Sequence, residues 1–188
     1  MSDRSWLLVV DPQRIFADPA SEWASPFWDG AWSRIRELAE DVGPERTVVT
    51  RWLPTADRST AWGEYFAAWP FADVPATDPL YDLVDGAREL SAHPTVDEPT
   101  FGKWGPQLAE IVGPAPHLLL TGVSTDCCVI TTALAAADAG ARLRVVRDAC
   151  AASTAADGAA AMQVMGLFPP QIDVTSSGEV LGAGTGRG

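Results

Sequence analysis

The chain has 188 residues, 47% of them apolar, and a formal net charge of −12. That length and apolar share suit one globular domain with a sizeable core, and the acidity excludes the basic surface that nucleic acid or an anionic membrane would require. The first apolar run, Trp6 to Val10, is too short for a signal peptide or a membrane span, and no later run reaches the roughly 18 residues of a span, so a cytoplasmic location is expected.

Trp6–Asp11 reads as a buried strand that ends in an acid. Asp29–Val42 carries Trp32, Ile35, Leu38, Ala39 and Val42 at helical spacing. Arg46–Arg51 is a second strand. Leu53 to Tyr81 then breaks the pattern. It is long, rich in proline and aromatics, and weakly periodic, and a loop of that length is usually functional. Trp52, Trp62 and Trp69 fall in or beside it and suit core packing, a subunit contact or a substrate-pocket wall. Pro79–Leu90 is expected to contain a helix, and His93–Asp97 a strand with Pro94 near its start. Leu108–Val112 makes a short helix after Pro106.

His117–Thr121 is an apolar strand followed by Gly122, and Thr125–Ala139 is an alanine-rich helix ending at Gly140. Arg142–Arg147 is the next strand. Ser153–Gly166 opens with a Ser or Thr cap. Gln171–Thr175 is the last strand. This alternation implies a single α/β domain over residues 1–180: a mostly parallel six-stranded, Rossmann-like sheet with helices on both faces. The glycine-rich residues 181–188 are expected to form a disordered tail.

Open α/β sheets bind ligands at the carboxyl ends of their strands. Asp11, Arg51, Gly122 to Cys128 and Asp148 all fall there. Cys128 lies near the start of a helix, where the dipole favours a thiolate and free N–H groups can hold an oxyanion. It reads as a nucleophile or as a small buried hydrophobe. Asp11 reads as a general base or a helix cap, and partial burial beside a thiol would raise its pKa. Cys127 and Cys150 read as structural. Three cysteines without Cys-x-x-Cys, and only two histidines, support neither a disulfide framework nor a structural zinc site.

Two segments resemble the isochorismatase-like family of cysteine hydrolases, which includes nicotinamidases and N-carbamoylsarcosine amidases. Leu7-Leu-Val-Val-Asp11-Pro-Gln13 is similar to the family's first strand, which ends in Asp-x-Gln. Gly122-Val-Ser-Thr-Asp-Cys-Cys-Val129, continuing to Gly140, is similar to its nucleophile segment, and that register selects Cys128 over Cys127. The resemblance implies an isochorismatase-like hydrolase fold and a cis peptide between Val123 and Ser124. It also implies an oxyanion hole from the N–H groups of Ser124 and Cys128. The family's catalytic lysine position falls on Glu98 here. Lys103, the only lysine in the chain, is the candidate third member, with a surface lysine as the alternative.

The chemistry so implied is cleavage of a C–N bond in a small amide, ureide or lactam through a thioester, without a cofactor. A vinyl-ether hydrolase and a non-catalytic binding protein on the same fold are the alternatives, and a redox pair of Cys127 and Cys128 ranks below them. Nicotinamidases of the family carry a metal site with Asp-x-His. The corresponding Thr50-Arg-Trp-Leu-Pro54 has no histidine, so no metal is expected. Arg51 suits a substrate carboxylate or a salt bridge. The resemblance further implies a homo-oligomer, a dimer or tetramer.

Overall fold

The structure is a computed structural model describing residues 5–182. Six runs of branched and apolar residues form strands β1 (Ser5–Val10), β2 (Thr47–Trp52), β3 (Val96–Glu98), β4 (His117–Val123), β5 (Arg142–Ala151) and β6 (Ile172–Thr175). They build one sheet in the order β3-β2-β1-β4-β5-β6, and every pairing is parallel. Helices α1 (Arg14–Ala17), α2 (Trp28–Val42), α3 (Ala61–Ala68), α4 (Pro106–Val112), α5 (Ile130–Asp138), α6 (Ala155–Met165) and α7 (Ser177–Gly182) complete the domain.

A parallel sheet buried on both sides needs apolar residues at odd and even strand positions alike. Leu8, Val10, Val48, Leu118, Leu120, Leu143 and Val145 pack on one face against Leu108 of α4, Ala133 and Ala136 of α5, and Met165 of α6. Leu7, Val9, Val49, Leu119 and Val146 pack on the other face against Ile35 and Leu38 of α2 and Val180 of α7. Burying such a side chain stabilises by about 1.5–3 kcal/mol. A third cluster sits beyond the strand ends, where Ile15, Phe16, Trp28, Trp52, Phe66, Tyr81, Val123 and Ala151 meet.

Several elements differ from the expectations, and β5 runs on to Ala151, so Asp148 lies within the strand and not at its carboxyl end. Leu53 to Tyr81 contains α3, whose cap Thr60 accepts a hydrogen bond from Trp62 N at 3.3 Å. Gly63 obscured this helix in the sequence. It is required because a Cβ there would overlap Arg58 O. The Pro79–Leu90 stretch holds two 3-10 turns, Pro79–Tyr81 and Arg88–Leu90. Asp82 turns extended after the first, and Gly86 takes φ +83° before the second, so one helix cannot run through. Leu181 and Gly182, assigned to the tail, belong to α7, and Leu181 packs partly buried against the core. The rest of that tail, 183–188, lies outside the described residues.

Strand order reverses direction between β1 and β4, which are neighbours in the sheet. Such a switch point opens a crevice at the carboxyl ends of the two strands. Gly122 permits the close approach there. Its φ is +116°, and a Cβ would overlap Val10 O. We predict that Gly122→Ala destabilises by at least about 2 kcal/mol, a fall in Tm of roughly 4–8 °C for a domain of this size. Thermal unfolding followed by circular dichroism checks it, and an unchanged Tm contradicts it.

Candidate active site

β1 ends at Val10, and Asp11 takes φ +49°, a left-handed conformation that aspartate tolerates better than most residues. The bend aims its carboxylate across the crevice. Thr50 of β2 fixes it, accepting from Asp11 N at 3.1 Å and donating to Oδ1 at 2.7 Å. Oδ2 lies 3.2 Å from Lys103 Nζ. Both side chains are 0% exposed. The ammonium also donates to Thr100 O at 2.7 Å. Glu98 occupies the end of β3, with Oε1 beside Gly105. Lys103 arrives instead from the loop between β3 and α4.

β4 runs into a cis Val123–Ser124 peptide and then a single π-helical turn, Thr125–Val129, that leads into α5. The N–H groups of Cys127 and Val129 both donate to Ser124 O, at 3.1 and 3.0 Å, and the Cys128 N–H between them is not part of that pair. Cys128 is 3% exposed, and its thiol feels the charges of Asp11 and Lys103. The Thr132 hydroxyl splices the two halves of the site. It donates to Cys128 O at 2.6 Å and accepts from Lys103 N at 2.9 Å.

Electrostatics set where the proton rests. Burial raises the Asp11 pKa above its ordinary 3.8, opposed by the Lys103 charge and by the hydrogen bond from Thr50. A hydrogen bond to Cys127, burial and the Asp11 charge together push the Cys128 thiol well above 9.0, and the Lys103 ammonium pulls the other way. The same cysteine pairing holds the Cys127 thiol below its ordinary pKa. Cys128 therefore rests as a thiol, and the Asp11 carboxyl is held more basic than an exposed aspartate.

A cavity of about 330 Å³ opens onto this centre, with Cys127, Cys128, Ser124 and Ser153 at its floor and Phe16, Trp23, Trp52, Tyr65, Trp69 and Phe101 among its walls. Trp52 and Trp69 thus face the cavity. Trp62 does not, because it packs behind, 4.9 Å from Phe101 and 6.4 Å from Trp52 between ring centroids. Arg51 also does not, and its suggested role at a substrate carboxylate is corrected. The side chain forks to Asp97 of β3, Nε to Oδ1 at 2.9 Å and the terminal nitrogen to Oδ2 at 2.7 Å. Strand alternation sends Trp52 to the cavity and Arg51 away from it.

Gln13, Thr50, Trp23, Tyr65 and Phe101 also build the site or its walls and carry no clear signal in the sequence. Gln13 is fully buried and bridges three segments, donating to Trp52 O at 3.0 Å and Tyr81 O at 2.8 Å while accepting from Trp52 N at 2.7 Å. The Asp-x-Gln spacing was its only signal.

The family model described as the isochorismatase domain matches residues 5–177. The chain belongs to the isochorismatase family. Solved structures agree on the fold. An isochorismatase family protein from Desulfovibrio vulgaris superposes with a TM-score of 0.80 at 20% identity, over 96% of this chain and 98% of that one. A cysteine hydrolase from Pseudomonas syringae gives 0.78 at 18%, over 96% and 92%. N-carbamoylsarcosine amidase from Thermoplasma acidophilum gives 0.69 at 18%, over 93% and 96%. No curated protein sequence matches the chain. Among the described residues, this isochorismatase-family chain has no helix long and apolar enough to cross a membrane.

The buried pair makes a stability prediction. Lys103→Met leaves the Asp11 charge unpaired, at a cost of about 3–5 kcal/mol near neutral pH. Without the ammonium, the folded-state pKa of Asp11 rises further above its unfolded value. Protonation then relieves the penalty, so the Tm deficit against wild type shrinks as pH falls. Melting curves from neutral to mildly acid pH check it, and a deficit that grows toward acid contradicts it.

Proposed function

We propose that the protein is a cysteine hydrolase that cleaves the C–N bond of a small amide, ureide or lactam. The observation that carries this reading is the buried Asp11–Lys103 pair, Nζ 3.2 Å from Oδ2, whose charges act on Cys128 where that residue lines the cavity. A lysine pointing away from the thiol would have favoured a binding protein on the same fold.

In this mechanism Asp11 takes the Cys128 proton, and Lys103 stabilises the resulting thiolate. The sulfur attacks the carbonyl carbon, and negative charge passes to the carbonyl oxygen. The N–H groups of Ser124 and Cys128 receive that oxyanion. Protonated Asp11 gives its proton to the leaving nitrogen, the C–N bond breaks, and the amine departs. A thioester remains. Asp11 then deprotonates a water molecule, which attacks the thioester. The C–S bond breaks and the thiol is restored with the proton held by Asp11. Every proton moves through one carboxylate, and its raised pKa suits it to both roles.

Cys128→Ala is expected to abolish turnover of an amide substrate while leaving the melting temperature within a few degrees of wild type, because a small apolar side chain replaces a small buried one. Retained hydrolysis overturns the covalent mechanism. In the wild type, kcat/KM should fall on the acid side as Asp11 gains its proton. The midpoint should lie above 3.8, since burial raises this carboxyl. A pH–rate profile flat to below that value removes Asp11 as the base.

A further inference from the structure

We propose that the cavity selects a substrate carrying a positive charge, an alkylated ammonium or similar cation, beside the bond to be cleaved. The inference rests on the hydrolase reading above and names its substrate class. Two features of the cavity carry it: the walls are aromatic, and among the described residues the single charged one in the lining is an acid.

Trp23 is the centre of the aromatic wall. Its ring lies 5.7 Å from Trp52, 5.8 Å from Tyr65 and 5.6 Å from Trp69, at interplanar angles of 55°, 45° and 68°. Tyr65 in turn lies 5.5 Å from Phe101. Rings packed at such angles cannot all turn their edges to the cavity they line, and a face turned to a guest carries the negative lobe of its quadrupole. A cage of that kind attracts a cation whose hydration shell is already loose, as in a quaternary ammonium. Burial holds the Tyr65 phenol above its ordinary pKa, so that ring stays neutral and the attraction comes from the π faces.

Glu22 lines the cavity from its exposed rim and has no ion-pair partner among the described residues. Among the described residues, no Lys, Arg or His side chain lines the cavity, and the nearby Lys103 is fully buried and committed to Asp11 and Thr100 O. An anionic substrate would enter with no basic group to meet it and with Glu22 and Asp11 against it. A neutral apolar substrate would fill the rings but leave the carboxylate unused. A cation uses both. The net charge of −12 adds a long-range field of the same sign.

The test uses an isosteric pair that differs only in charge. Choline and 3,3-dimethylbutan-1-ol are titrated against alkylation of Cys128 by iodoacetamide, a neutral reagent, with the modified residue mapped by mass spectrometry. Choline is expected to protect at a concentration about tenfold lower than its neutral isostere. Glu22→Gln should narrow the gap about two- to fivefold at low salt, and less at high salt, because the charge is at the rim. Trp69→Leu should narrow it by removing a wall. Equal or better protection by the neutral alcohol overturns the proposal. Turnover is read separately with glycine betaine amide and 3,3-dimethylbutanamide. Hydrolysis of both at equal kcat/KM faults the cation preference and leaves the hydrolase standing. Protection by choline with neither amide cleaved supports the cage and faults the hydrolase reading.

Discussion

Asp11 and Lys103 place two opposite charges out of water at the end of a parallel sheet, 3.2 Å apart. Neither would be tolerated there alone, because desolvating a single ion costs several kcal/mol. Much of the surrounding architecture answers that constraint. Thr50 satisfies one carboxylate oxygen, Thr100 O takes an ammonium hydrogen, and Thr132 locks the lysine loop to the cysteine turn. Apart from this ion pair, Asp11 Oδ2 has no hydrogen-bond partner among the described residues, so the carboxylate keeps a free acceptor.

The fold brings these groups together from distant parts of the sequence. Asp11 ends β1, Lys103 follows β3, and Cys128 follows β4, while β1 and β4 are adjacent at the switch point. A proton acceptor, a cation and a thiol therefore converge at the carboxyl edge without any long excursion of the chain. The aromatic cluster above them excludes water from the pair and forms the cavity walls. In a drier site the attraction between fixed charges and the reacting atoms is stronger.

Much of this was legible in the sequence, for identifiable reasons. Strands such as Leu7–Val10 and Leu118–Leu120 are unbroken apolar runs because both sheet faces are covered. Asp11 and Gly122 stood out at strand ends. What could not be read were contacts made across the sequence. Arg51 ends a strand just as Asp11 does, yet its partner Asp97 lies on the neighbouring strand, and only the β2–β3 register reveals that it is occupied. Trp62 lies in the first turn of α3 and Trp69 just past its end in a non-helical conformation, and only the folded chain shows which of them meets the cavity. Gln13 is a polar side chain whose value appears only once Trp52 and Tyr81 surround it. Lys103 was ambiguous by spacing, because a loop lets it reach Asp11 from five positions beyond Glu98.

The central claim is that Asp11 and Lys103 make Cys128, and not its neighbour Cys127, the acyl acceptor. Brief exposure to p-nitrophenyl acetate, an active ester with a good leaving group, followed by acid quench and fragment-ion mass spectrometry, tests this directly. The account predicts a mass increase of one acetyl group on Cys128, at a rate that falls toward acid pH as Asp11 is protonated. Acetylation of Cys127, or equal labelling of the two thiols, would contradict it.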